Sequence, residues 1–101
     1  SDVLKTPVIK SGRLSAWAQY TIRVNDRDKI QALLKAEGIP TAVYYPIPLH
    51  LQECFRYLSY QEGDFLTSEK ASKEVMSIPM NSFLTSDQTN YVISSIQKIV
   101  N

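Results

Sequence analysis

From Ser15 to Val24 apolar and polar positions alternate, with Ala18, Tyr20, Ile22 and Val24 on one side and Trp17, Gln19, Thr21 and Arg23 on the other. A period of two predicts a half-buried strand. The period changes in "NDRDKIQALLKAEG", where Ile30, Leu33 and Leu34 share a helical stripe. Asn25 is placed to cap this helix, with Asp28 three residues on in a loose variant of the capping box. Asp26 and Asp28 also suit the positive helix start, and Gly38 is a natural stop. "IPTAVYY" then predicts a second strand. Pro46 and Pro48 end it, because each lacks a ladder N–H and biases the residue before it toward extended backbone.

Beyond the prolines, Leu51, Phe55 and Leu58 have the spacing of a short helix or turn. A loop follows, then a short helix from about Ser68 to Glu74 and a brief apolar strand around Met76–Ile78, stopped by Pro79. Thr85 and Gln88 form a capping box for a last helix whose buried face is Val92, Ile96 and Ile99. This order predicts an α+β domain: a small, mostly antiparallel sheet with helices packed mainly on one face. Residues 1–14, punctuated by Thr6-Pro7 and Ser11-Gly12, read as a connecting segment, and residues 15–101 as the domain. The opening "SDVLKTPVIKSGRLSAW" reads as the middle of a longer chain.

Composition narrows the classes. A chain of 101 residues, 44% hydrophobic and 21% charged, suits one soluble globular unit. Its net charge of +1 and scattered basic residues disfavour nucleic acid and acidic membranes as partners. No apolar run reaches the ~18–20 residues that span a bilayer. With Cys54 as the single cysteine, no internal disulfide or thiolate metal cluster can form, which fits a cytoplasmic setting.

Candidate chemistry is sparse. His50 and Cys54 lie four residues apart and could meet on one helical face as a nucleophile pair, although a small core cysteine is the commoner role. No zinc-type ligand spacing is present. Glu62, Asp64 and Glu69 cluster in "EGDFLTSE", where solvated loop and helix-start acids outweigh a paired acid–base site. Gly12, Gly38 and Gly63 are too far apart for a phosphate loop. His50 carries two readings: a turn residue bonded to backbone, or a functional imidazole held by a rigid Pro-x-Pro segment just past a strand end.

The set "SAWAQYTIRV", "RDKIQALLKAEGIPTAVYYPIPLHLQ" and "YQEGDF", with "SEKASKEVMSIPM" after it, resembles the C-terminal small domain of the PLP-dependent sugar aminotransferases of the DegT/DnrJ/EryC1/StrS type. The likeness runs over about residues 15–100, and its most specific part pairs "GIPTAVYYPIPLH" with the later "GDF", "SE" and "IPM". Leu66 stands where relatives usually have proline after "GDF".

The resemblance implies transfer of an amino group, with glutamate the expected donor, onto the keto sugar of a nucleotide-sugar. The wording "AQYTI" and "YYPIPLHLQ" leans toward 3-keto sugars of the acetamido-uronic type, with a 4-keto substrate the open alternative. The cofactor implied is pyridoxal 5′-phosphate, held through a Schiff-base lysine in a large N-terminal domain; Lys5 and Lys10 match no such motif. The resemblance assigns this chain no catalytic residue, cofactor ligand or metal ligand, so that alone it would be inactive, and it makes the whole protein a homodimer. It places residues 44–50 at the cleft edge with His50 as the foremost substrate-contacting residue, then Tyr45 and Tyr44. Gln19 and Tyr20 match its wording as fold residues. The alternative is a free-standing α+β module that binds a metabolite or dimerises without catalysis.

Overall fold

A computed structural model describes residues 3–101. Its centre is a three-stranded antiparallel sheet in the order β1 (Leu4–Lys5), β2 (Tyr20–Val24), β3 (Val75–Ile78). β2 is the middle strand, with Leu4 opposite Val24 on one side and Ile22 opposite Met76 on the other. The alternation read from β2 is the one observed: Ile22 and Val24 are buried while Arg23 is exposed. On the opposite face, Thr21 Oγ1 and Ser77 Oγ lie 2.8 Å apart, satisfying two hydroxyls across the strand pair.

Helices α1 (Arg27–Ala36) and α3 (Ser86–Val100) lie on the Ile22 face. Ile30 and Leu34 from α1, with Val92 and Ile96 from α3, join Ile22, Val24, Ile39 and Met76 in one core. Leu33, on the predicted stripe, is exposed instead. Helix α2 (Leu66–Glu74) runs directly into β3 and touches β2, where Arg23 pairs with Glu74.

The helix ends follow local chemistry. Thr85 Oγ1 accepts from the Gln88 N–H at 3.1 Å while the Gln88 side chain accepts from the Thr85 N–H at 3.0 Å, the predicted capping box. At the end of α1, the N–H of Gly38 reaches the Lys35 carbonyl and that of Ile39 the Leu34 carbonyl, at 3.0 and 2.9 Å. This is a Schellman motif, in which Gly38 takes φ +77° and the buried Ile39 follows. The start of α1 departs from expectation: Asp26, not Asn25, occupies the cap position, in a left-handed conformation with no side-chain cap bond.

Two elements are corrected, and a third, the short helix or turn after the prolines, takes a definite form. The first long strand begins at Tyr20 rather than Ser15, after Trp17 takes a positive φ. "IPTAVYY" makes no strand; only Ala42 exchanges both hydrogen bonds with Ser77, at 3.0 and 2.7 Å. Pro40 within this segment and Pro46 just after it limit the N–H donors that a ladder needs. The segment after the prolines forms two 3-10 helices, Leu49–Leu51 and Glu53–Leu58. Leu51 and Leu58 stay exposed there, so the helical spacing builds no buried face.

Candidate functional site

Residues 44–50 leave the Ala42–Ser77 bridge and run along the surface to the first 3-10 helix. Pro48 takes φ −58° and ψ 147° and caps that helix, its carbonyl accepting from Leu51 N–H at 3.0 Å. The side-chain amide of Gln52 donates back to the Ile47 carbonyl at 3.3 Å. A short lip results, fixed at both ends. Tyr44 and Tyr45, joined by a cis peptide bond, pack edge-to-face with ring centres 5.7 Å apart. Both tyrosines are exposed, Tyr45 to 67%.

His50 goes the other way. Its side chain is only 7% exposed, and its Nε2 lies 2.8 Å from Oε1 of Glu69, itself 8% exposed as a residue. The same Oε1 accepts the backbone N–H of Gly63 at 2.7 Å. Gly63 sits at φ +97°, which only glycine adopts freely. Phe65 closes the other side of the imidazole edge-to-face at 4.8 Å and in turn meets Tyr60 at 5.0 Å. One carboxylate thus joins the lip, the 60–65 loop and α2.

The electrostatics follow from that geometry. Glu69 is held below the ordinary glutamate range, first by the hydrogen bond to His50, then by the Gly63 N–H and the positive charges of His50 and Lys73, while burial opposes them. Glu69 is therefore no solvated acid, which corrects the expectation for the "EGDFLTSE" cluster; Glu62 and Asp64 are exposed. Asp64 instead accepts the Gln61 N–H at 2.8 Å.

Cys54 and His50 do not pair. Cys54 is exposed rather than a core residue, and its thiol faces Gln52 Oε1 at 4.0 Å. The imidazole that would activate it belongs to Glu69. Among the described residues no group of three His, Cys, Asp or Glu could hold a metal ion, and no helix is long and apolar enough to cross a membrane.

Glu69, Gly63 and Phe65 are the residues that sequence reasoning missed. Their signal was the "GDF" and "SE" pieces themselves, lying beyond a lone histidine that needed a partner once buried. Away from the lip, an apolar groove of about 670 Å³ opens between the sheet face and α3, lined by Leu4, Tyr20, Ile22, Ile78, Val92 and Ile96 among others. No lip residue lines it.

The profile of the DegT/DnrJ/EryC1/StrS aminotransferase family matches residues 2–97. A "pleiotropic regulatory protein" of Geobacillus stearothermophilus is 48% identical, over 94% of this chain and 26% of its own length. The UDP-2-acetamido-2-deoxy-3-oxo-D-glucuronate aminotransferase of Pseudomonas aeruginosa is 37% identical, over 90% of this chain and 24% of its own length. The crystal structure of a DegT DnrJ EryC1 StrS aminotransferase from Brucella abortus superposes with a TM-score of 0.89 at 38% identity, over 99% of this chain and 27% of that one. The chain spans about a quarter of the length of the relatives it matches. A match over nearly the whole chain, together with the shared three-stranded α+β fold, settles the affiliation: this chain belongs to the DegT/DnrJ/EryC1/StrS aminotransferase family.

Proposed function

We propose that this chain is the small domain of a pyridoxal phosphate-dependent aminotransferase that moves an amino group from glutamate onto the keto group of a nucleotide-sugar, for surface polysaccharide or glycan synthesis. The observation that carries the reading is the family match over residues 2–97. The Pseudomonas relative, whose substrate is a 3-oxo uronate sugar carried on UDP, favours a 3-keto substrate. The Geobacillus protein's name states a regulatory role, whereas the family description and the Pseudomonas name both state amino transfer.

The chain's own residues do not fit the cofactor. Every described lysine is exposed, and Lys29 and Lys73, which line an open cleft at the start of α1 beside Asp26, Asp28 and Glu74, face water there rather than a shielded site for a Schiff base. In this reading the lysine and the phosphate cradle belong to a large domain, residues 1–14 lead from it while lending Leu4–Lys5 to the sheet as β1, and residues 15–101 close one side of the cleft. The apolar groove beside α3 supports this, since it leaves exposed apolar side chains such as Met80 and Ile93 for further chain to cover. The whole protein works as a cytoplasmic homodimer, and the isolated chain is silent.

The lip of residues 44–50 faces the sugar. Tyr44 and Tyr45 offer exposed rings and phenol hydroxyls, and His50, buried against Glu69, keeps the ring nitrogen that this carboxylate does not take. The test compares the isolated chain with the product of the complete gene. The complete protein is expected to carry lysine-bound pyridoxal phosphate and to aminate a UDP-3-keto sugar with glutamate, and the chain alone to do neither. A complete protein without lysine-bound cofactor overturns the proposal and favours a free-standing binding module.

A further inference from the structure

The bond between His50 and Glu69 fixes more than a distance. An ionised carboxylate only accepts, so the nitrogen facing Oε1 must carry the proton. His50 is therefore the Nε2–H tautomer when neutral, and Nδ1 is left as its acceptor. The same Oε1 also takes the Gly63 N–H, and Phe65 blocks one side of the ring. The imidazole has one orientation open to it, and the lip is tied to α2 through that orientation.

We propose that Glu69 is the positioning residue of the lip: by accepting from both His50 and Gly63 it sets the imidazole tautomer and holds residues 44–50 with Tyr44 and Tyr45 turned outward. The consequence for substrate rests on the sugar-facing reading above; the tautomer and the tie do not. Three features of the site favour the role over a chance contact. Both partners are buried, both hydrogen bonds converge on one oxygen, and the partners come from separate segments at positions 50, 63 and 69. Ser72 Oγ, which donates to the Glu69 carbonyl at 2.7 Å, adds a bond to the turn that carries the carboxylate.

His50 is the only histidine in the chain, so one imidazole signal reports the tie. Nitrogen-15 NMR of the chain is expected to show neutral His50 protonated at Nε2, with the Gly63 amide protected from exchange. Glu69→Gln keeps an oxygen where both donors point and should leave both signals in place. Glu69→Asp keeps the charge but is one methylene short; it should release the tautomer and speed Gly63 exchange at least tenfold, and Glu69→Ala should do the same. A proton on Nδ1 in the wild-type chain overturns the proposal, as does a Glu69→Asp chain with both signals unchanged, and the second outcome stands even if Glu69→Ala fails to fold. In the complete enzyme, Glu69→Asp should raise KM for the nucleotide-sugar several-fold and spare the half-reaction with glutamate, with Glu69→Gln restoring the sugar KM. If the NMR signals behave as expected but no lip variant alters sugar kinetics, the sugar-facing reading fails while the positioning role stands.

Discussion

The guanidinium of Arg27, first residue of α1, donates from Nη1 to the carbonyl of Val75, first residue of β3, at 2.9 Å. A cation at a helix start opposes the helix dipole, so the position is held by what the side chain reaches rather than by its charge. Arg27 is 7% exposed, and its Nε also donates to Asp28 Oδ1 at 2.6 Å. Arg27→Ala removes a charge-assisted bond and buried stem packing, which together cost about 2 kcal/mol. Urea denaturation should show a lower midpoint with an unchanged slope. Arg27→Lys keeps the charge but loses the fork that serves Val75 and Asp28 together, so it should recover only part of the loss. A midpoint unmoved in Arg27→Ala would mean that α1 and β3 are joined by the apolar core alone.

The Glu69 carboxyl gives stability a definite pH dependence. Its folded value is lowered, first by the His50 hydrogen bond, so as pH falls the unfolded chain takes up the proton before the folded one. Stability from this group is complete above the ordinary glutamate pKa of about 4.3 and is lost as pH falls through the lowered folded value. Gly63 N–H and the charges of His50 and Lys73 act in the same direction, and burial acts against them. Glu69→Gln cannot titrate at this position. The difference in unfolding free energy between wild type and Glu69→Gln should be flat from about pH 6 to pH 5 and shift toward the variant below about pH 4. A difference that stays constant to the acid limit would show that the carboxyl is not stabilised as an anion.

Much of this fold was legible in the sequence because its elements obey short-range rules. Ile22 and Val24 alternate with Arg23, Ile30 and Leu34 repeat at helical spacing, and Thr85 with Gln88 carries a complete capping box. What failed was non-local. "IPTAVYY" has strand composition, yet strand formation needs a partner edge and donors, and Ala42 alone secures both against Ser77. Glu69 looked like a helix-start acid because its local position allows that role; its burial is decided by His50, nineteen residues away. The sequence marked residues 44–50 as a turn past the end of an extended segment, but not the direction of His50, which is buried while Tyr44 and Tyr45 stay exposed. That direction depends on the carboxylate.

Gly38 tests the end of α1 without side-chain clash. A Cβ built there meets nothing within 4 Å, so any cost of Gly38→Ala comes from φ +77° alone. A left-handed alanine costs roughly 1–2 kcal/mol, partly offset by the freedom that glycine has in the unfolded chain. The expected net loss is about 1 kcal/mol by thermal or urea unfolding. Gly38→Asn should lose less, since asparagine tolerates this conformation. A loss well above 2 kcal/mol would mean that Ile39 also leaves the core, because its buried side chain follows directly from the turn.

If the lip faces the sugar as proposed, Tyr45 serves contact and His50 support, and the complete enzyme should separate the two. Tyr45 is 67% exposed, so Tyr45→Phe removes a hydroxyl without disturbing the core. One neutral hydrogen bond to a sugar is worth about 0.5–1.5 kcal/mol, which corresponds to a loss of roughly two- to tenfold in kcat/KM for the nucleotide-sugar. The half-reaction with glutamate should be unchanged. His50→Ala leaves Glu69 with the Gly63 N–H as its remaining partner of the pair and deprives Phe65 of its ring contact. It should therefore reduce both sugar use and unfolding free energy, whereas Tyr45→Phe reduces sugar use alone. Measuring stability and both half-reactions on each variant decides the matter. If His50→Ala alters the sugar half-reaction with stability intact, the imidazole itself meets the substrate and the tie to Glu69 is secondary.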